Sequence, residues 1–329
     1  MKIAIVGDGG WGTALGLVLL GNGHKVTLWG PFPEYIEQMR ATRANALYLP
    51  GVKLPDGLGL TADRAEAVKG AEIVVLAVPT KFFRQVMQSF AGLMPRDAAL
   101  VSVAKGFDPA TRERMTSVAE SVLGAGPVAA LSGPSHAEEV AREVPTAVVI
   151  ACADQDRAAL LQRVFLSARF RAYTAADVAG VEMGGALKNV IAIGVGVSDG
   201  VGFGDNTRAA LMTRGLAEIM RLGCAYGAQA ATFAGLSGMG DMIVTCTSRL
   251  SRNRGVGERL GRGETIAQIL GSMKQVAEGV TNCVTARELA RARGIEVPIT
   301  DEVHAVIYEG KAPLDALASL MMRSAKAER

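Results

Sequence analysis

Histidine and cysteine are scarce in this chain, three and four residues among 329. The cysteines, Cys152, Cys224, Cys246 and Cys283, are widely scattered, and their separations match no metal-ligand spacing. No grouping of His, Asp and Glu makes up the shortfall, so no metal is expected. The thiols read as reduced and buried, in a cytoplasmic protein. Charge of one sign is also lacking. Lys and Arg number 35 against 32 Asp and Glu, a net charge of +3, which is too balanced to argue for a nucleic-acid partner. The longest uncharged stretch, Leu222 to Gly240, contains five glycines. It makes a poor bilayer span, which needs about 20 strongly apolar residues. The first strand-like run begins at Lys2 without a basic n-region or cleavage site, so no signal peptide is expected. What remains is an ordinary globular composition, 49% hydrophobic and 20% charged, long enough for two domains and an ample core.

The most informative stretch is the first. Lys2 to Val6 reads as a buried strand, and Gly7-Asp8-Gly9-Gly10-Trp11-Gly12 fits G-x-G-x-x-G. In that pattern the first glycine permits a tight turn, the second lets backbone approach a pyrophosphate, and the third lets helix and strand pack closely. Thr13 to Leu20 carries no charge and reads as a helix whose N-terminus faces the phosphates. Gly21-Asn22-Gly23 stops it, and Lys25 to Trp29 is a second strand. Strand, glycine loop, helix, stop and strand in sequence identify a dinucleotide site.

One element is missing. An acidic residue should close the second strand of an NAD-preferring site, yet the strand ends Trp29-Gly30-Pro31-Phe32-Pro33, with Glu34 only later. No arginine for a 2′-phosphate stands there either. Arg40 and Arg43 lie further on and could fold back, so the choice between NAD and NADP stays open.

Further apolar runs, Ala71 to Val78, Ala98 to Ala104, Val128 to Leu131 and Thr146 to Cys152, alternate with helical patterns such as Lys81 to Phe90 and Thr111 to Leu123. They predict a doubly wound, mostly parallel α/β sheet of the Rossmann kind over residues 1–178. Lys105 and Ser135 follow strands and would point to its ligand edge. After about Val178 strand-like runs fade. Gly180 to Val201, Arg208 to Tyr226, Glu264 to Leu270 and Asn282 to Arg293 read as helices, which predicts an all-α second domain over residues 179–329.

The segments "GDGGWGTALG", "NALYLPGVKLP", "AKGFD", "LSGPSHAEEVAREVPTA", "DVAGVEMGGALKNVIAIGVGVSDG", "GDNTRAALMTRGLAEIMRLG", "TFAGLSGMGDMIVTCTSRLSRNR" and "AEGVTN" follow one another in an order that resembles bacterial glycerol-3-phosphate dehydrogenase [NAD(P)+]. The resemblance runs from about Lys2 to Pro298. It implies reversible reduction of dihydroxyacetone phosphate to sn-glycerol 3-phosphate, a precursor of phospholipids, with NAD or NADP as cofactor.

The resemblance also implies roles for particular residues. Hydride arriving at a ketone carbon drives charge onto its oxygen, which must receive a proton. Lys188 is the implied acid/base, with Asn189 beside it; read alone, it is more often a lysine snorkelling from a packed helix. Lys105 would lie at substrate and nicotinamide, although a loop lysine after a strand is often merely solvated. Asp241 would hold the ammonium, its local alternative being a helix cap. Arg252 and Asn253 would bind the phosphate, with Ser251 and Thr245 completing the cradle; a solvated basic loop is the other reading. Gly133, Ser135 and Ala137 would line the junction of substrate and cofactor. The cofactor would touch Gly7, Gly9, Gly10, Trp11, Gly12, Pro31, Lys105 and Arg252, with Val276 and Glu278 reaching it from the second domain.

His24, His136 and His304 are poor catalytic candidates. Two positions depart from the family pattern: Gly10 replaces a usual serine, and Pro31 stands where a basic residue often binds the 2′-phosphate. Two rivals remain, another β-hydroxyacid-type dehydrogenase and a non-catalytic dinucleotide sensor. The first gives no reason for Arg252-Asn253 near Asp241, and the second need not keep Lys188, Lys105 and Asp241 together. The expected partner is a small phosphorylated molecule, with no membrane span. Oligomeric state is left open, with a homodimer as the candidate assembly.

Overall fold

A computed structural model of the chain describes residues 1–273, 276–325 and 327. Eight strands form one sheet: β1 (Lys2–Val6), β2 (Lys25–Trp29), β3 (Gly59–Thr61), β4 (Ile73–Leu76), β5 (Ala99–Ser102), β6 (Ala129–Ser132), β7 (Thr146–Ala151) and β8 (Phe170–Ala175). Their order is β3-β2-β1-β4-β5-β6-β7-β8. All neighbours run parallel except β6 and β7, which are antiparallel. Strands covered by helices on both faces need continuous apolar runs. Accordingly Ile3, Ala4, Ile5 and Val6 are all fully buried. The strand order reverses between β1 and β4, and the crevice beyond their C-terminal ends is where such sheets bind ligands.

Two strands and one helix start escape the sequence pattern. β3 has only three residues and β8 has a half-exposed, alternating pattern. The helix expected from Thr111 begins at Met115. Before it, Asp108 Oδ1 accepts from the backbone N–H groups of Ala110 and Thr111, at 3.0 and 2.8 Å, and this local turn competes with helix.

From Val178 onward the described residues form helices. The longest, Val178–Val201, is capped at its start by Asp177, which accepts from the Gly180 N–H at 2.8 Å. It is long and apolar enough to cross a membrane, but it is buried at the centre of the helical half. The helix Arg252–Gly261 packs against it backbone to backbone. A Cβ on Gly257 would lie 2.0 Å from the Ile193 carbonyl oxygen, and one on Gly196 would lie 2.1 Å from that of Arg254. Glycine spacing therefore brings the Arg252-Asn253 turn up to the helix carrying Lys188. Glu182, on the same long helix, locks it to the sheet half by accepting from the Thr116 N–H at 2.9 Å and from Arg114 at 2.7 Å.

Candidate active site

The glycine loop matches what a dinucleotide requires. Gly7 has φ +123°, and a Cβ there would meet the Ala77 carbonyl oxygen at 2.5 Å, where β1 and β4 come together. Gly9 faces open space, with no atom within 4 Å of the position its Cβ would take. The helix it opens, Gly10–Gly21, has no side-chain cap and no acid in its first turn, so its leading N–H groups are free to meet phosphate. The residues present at this loop therefore fit an NAD-type cofactor. Trp11 packs partly against the core, with its indole Nε1 buried and unpartnered. The Tyr48 carbonyl oxygen occupies the space beside Gly10, 2.5 Å from where a Cβ would sit, so a serine there would force a shift. Pro31 is exposed at the end of β2. Ala137 begins a short helix near Gly10.

At the junction of the two halves, three charged side chains meet. Lys188 is 5% exposed and Asp241 1%, which rules out a snorkelling lysine. Lys188 Nζ donates to Asp241 Oδ1 at 2.9 Å and also to Thr245 Oγ1. Lys105 Nζ donates to Asp241 Oδ2 at 2.7 Å and to the Gly133 carbonyl at 3.0 Å. Asp241 opens the helix Asp241–Thr247, but its carboxylate binds the two lysines and does not cap that helix. Burial pushes the Lys188 ammonium down to about 8, with Asp241 opposing and Lys105 adding to the shift. Burial works to raise the Asp241 carboxyl, yet the two ammonium groups hold it below its ordinary range.

The other predicted residues gather around this trio. Ser135 Oγ donates to the Gly133 carbonyl at 2.9 Å. Asn189 Oδ1 accepts from Asn253 Nδ2 at 3.0 Å, and Asn253 Oδ1 accepts from the Gly279 N–H at 2.9 Å. Ser251 is buried and caps the helix Arg252–Gly261, accepting from the Arg254 N–H at 3.2 Å. The exposed Arg252 donates to the Val276 carbonyl at 2.8 Å. Glu278 crosses between the halves, accepting from the Thr80 N–H at 3.1 Å and from its hydroxyl, just past the end of β4. Burial raises the Glu278 carboxyl, with the Thr80 donors and Arg252 opposing.

Two site neighbours were not singled out from sequence, Thr80 and Asn282, and His136 was set aside as a catalytic candidate. Asn282 Nδ2 donates to the Ala186 carbonyl at 3.1 Å and to that of Lys105 at 3.4 Å, joining the two lysine-bearing segments; its signal was the "AEGVTN" stretch. Burial, with the charges of Lys188 and Lys105 adding to it, holds the His136 imidazole below its ordinary range, and its Nε2 is buried without a partner. Arg40 and Arg43 are both hydrogen-bonded to backbone carbonyls. Arg40 Nε donates to the Leu60 carbonyl at 2.9 Å, and Arg43 binds the carbonyls of Leu54 and Leu58, both at 3.3 Å, and that of Pro55.

The family models of the NAD-dependent glycerol-3-phosphate dehydrogenase N-terminus and C-terminus match residues 2–158 and 177–318. A glycerol-3-phosphate dehydrogenase [NAD(P)+] from Geobacter sp. (strain M21) is 49% identical over 330 residues, 99% of this chain and 98% of the relative. One from Moorella thermoacetica is 50% identical over 322 residues, 98% of this chain and 96% of that one. The crystal structure of glycerol-3-phosphate dehydrogenase from Coxiella burnetii superposes with a TM-score of 0.94 at 37% identity, covering 98% of this chain and 99% of that one.

Proposed function

Since the chain belongs to the NAD-dependent glycerol-3-phosphate dehydrogenase family, and so is an oxidoreductase using NAD or NADP, we propose that Lys188 is the proton donor when dihydroxyacetone phosphate is reduced to sn-glycerol 3-phosphate. The observation that carries this reading is the buried Lys188 ammonium held 2.9 Å from the Asp241 carboxylate at the junction of the two halves, where burial brings its pKa down to about 8. A general acid is most effective with a pKa near the working pH, where both its forms are accessible.

A nicotinamide cofactor held at the glycine loop would supply the hydride. Lys188 Nζ gives its proton to the carbonyl oxygen as charge develops there, and is left as the neutral amine. Asp241 and Thr245 fix the ammonium in place. Lys105, fastened to the other oxygen of Asp241 and to Gly133, adds a second positive charge that stabilises the developing alkoxide. Arg252 and Asn253, with Asn189, form the phosphate cradle, and Ser251 and Thr245 hold its elements in position. Gly133, Ser135 and Ala137 line the junction. Gly7, Gly9, Gly10, Trp11, Gly12 and Pro31 face the cofactor from the first unit, residues 1–178, while Val276, Glu278 and Arg252 face it from the second, 179–329. The reading carries with it a cytoplasmic location and a product destined for phospholipid synthesis, with a homodimer as the candidate assembly.

Cofactor oxidation with dihydroxyacetone phosphate against unphosphorylated dihydroxyacetone tests the reading. Turnover should depend on the phosphate. Equal rates on both would overturn it.

A further inference from the structure

The acid expected after β2 is absent there, but a carboxylate occupies that place from another part of the chain. Asp8 lies between the first two glycines of the loop and is 6% exposed. Its side chain reaches across to the end of β2, where a Cβ on Gly30 would lie 2.4 Å from Asp8 Oδ2. Only a residue without a side chain at position 30 leaves room for it. Asp8 Oδ2 is buried with no hydrogen-bond partner, an arrangement that costs free energy unless something completes it.

We propose that Asp8 is the ribose-reading carboxylate of this site, accepting hydrogen bonds from the adenosine ribose of NADH and disfavouring the 2′-phosphate of NADPH. Three observations converge on it. The orphaned oxygen stands at the end of β2, beside the glycine loop, where a doubly wound site reads the ribose. Gly30 is kept small by the carboxylate itself. Arg40 and Arg43, the nearest arginines following β2, are committed to backbone carbonyls, and Pro31 has no N–H to donate. A 2′-phosphate would therefore meet an acid and no free cation from this segment. Burial pushes the Asp8 carboxyl up to about 6, against its own backbone N–H, so it is mostly ionised near neutrality.

The inference rests on the loop's being a dinucleotide cradle, and the test keeps the two apart. Calorimetric titration of the intact protein with NADH and with NADPH should show NADH binding more tightly. Asp8→Ala should weaken NADH by about 10- to 150-fold, as expected for losing a hydrogen bond to a charged group. It should leave NADPH within about twofold or tighter, so the preference collapses. Asp8→Asn, which conserves shape, should shift the preference in the same direction and serves if the alanine variant fails to fold. Gly30→Ala, by crowding the carboxylate, should also reduce the preference for NADH. A wild type that binds neither cofactor would sink the cradle itself. Equal weakening of both cofactors, or an NADH affinity that stays within about twofold, would overturn the role of Asp8 alone.

Discussion

Lys188 Nζ lies 2.9 Å from Asp241 Oδ1, and both side chains are buried at the seam between the sheet and the helices. A buried charge survives only when paired. Here Asp241 serves two lysines at once, so the site's electrostatics turn on a single carboxylate.

Asp241→Asn should therefore be costly in two ways. Breaking a buried ion pair is destabilising by about 3–5 kcal/mol, which urea unfolding would register. Asp241 also holds the pKa of Lys188 up. The surviving activity should then lose its ammonium form at lower pH, moving the reduction profile toward acid. An unchanged profile would mean that Asp241 does not act on Lys188.

The two directions of reaction should have opposite pH responses. Reduction needs the ammonium, which is present below about 8 and lost as pH rises through that value. Oxidation of glycerol 3-phosphate needs the free amine, so its rate should climb over the same range. Initial rates in both directions, with chemistry established as rate-limiting, check the sign.

Arg252→Ala should reduce kcat/KM for dihydroxyacetone phosphate by roughly 10- to 150-fold, from losing a charged hydrogen bond. The loss on unphosphorylated dihydroxyacetone should be far smaller. Equal losses would assign Arg252 to holding Val276 and the loop instead of the phosphate.

Pro31→Arg should lower KM for NADPH more than for NADH, by a margin that shrinks with added salt as the new ion pair is screened. Steady-state kinetics with both cofactors on wild type and variant would decide it. A variant that leaves both values unmoved would place 2′-phosphate recognition elsewhere.

The β1–loop–helix–β2 unit was legible because each part is encoded locally: an apolar strand, glycines at fixed offsets, and a glycine stop. β3 and β8 were not, because three residues and an alternating half-exposed run gain strand structure only by pairing with β2 and β7. Lys188 and Asp241 were both marked as candidates, yet they are 53 residues apart, and their contact is visible only in the fold. Asp8 was passed over as the variable position of a glycine motif. Nothing in the linear order of residues says that its side chain ends beside Gly30.

The central claim is that Lys188 delivers the proton. The most direct test is turnover of Lys188→Ala with dihydroxyacetone phosphate at saturating cofactor, with and without a small primary amine. The account predicts a fall of at least ~10²-fold, NADH affinity unchanged by calorimetry, and partial recovery as the amine enters the space left by the side chain. Turnover within a fewfold of wild type, with NADH still bound normally, would contradict it.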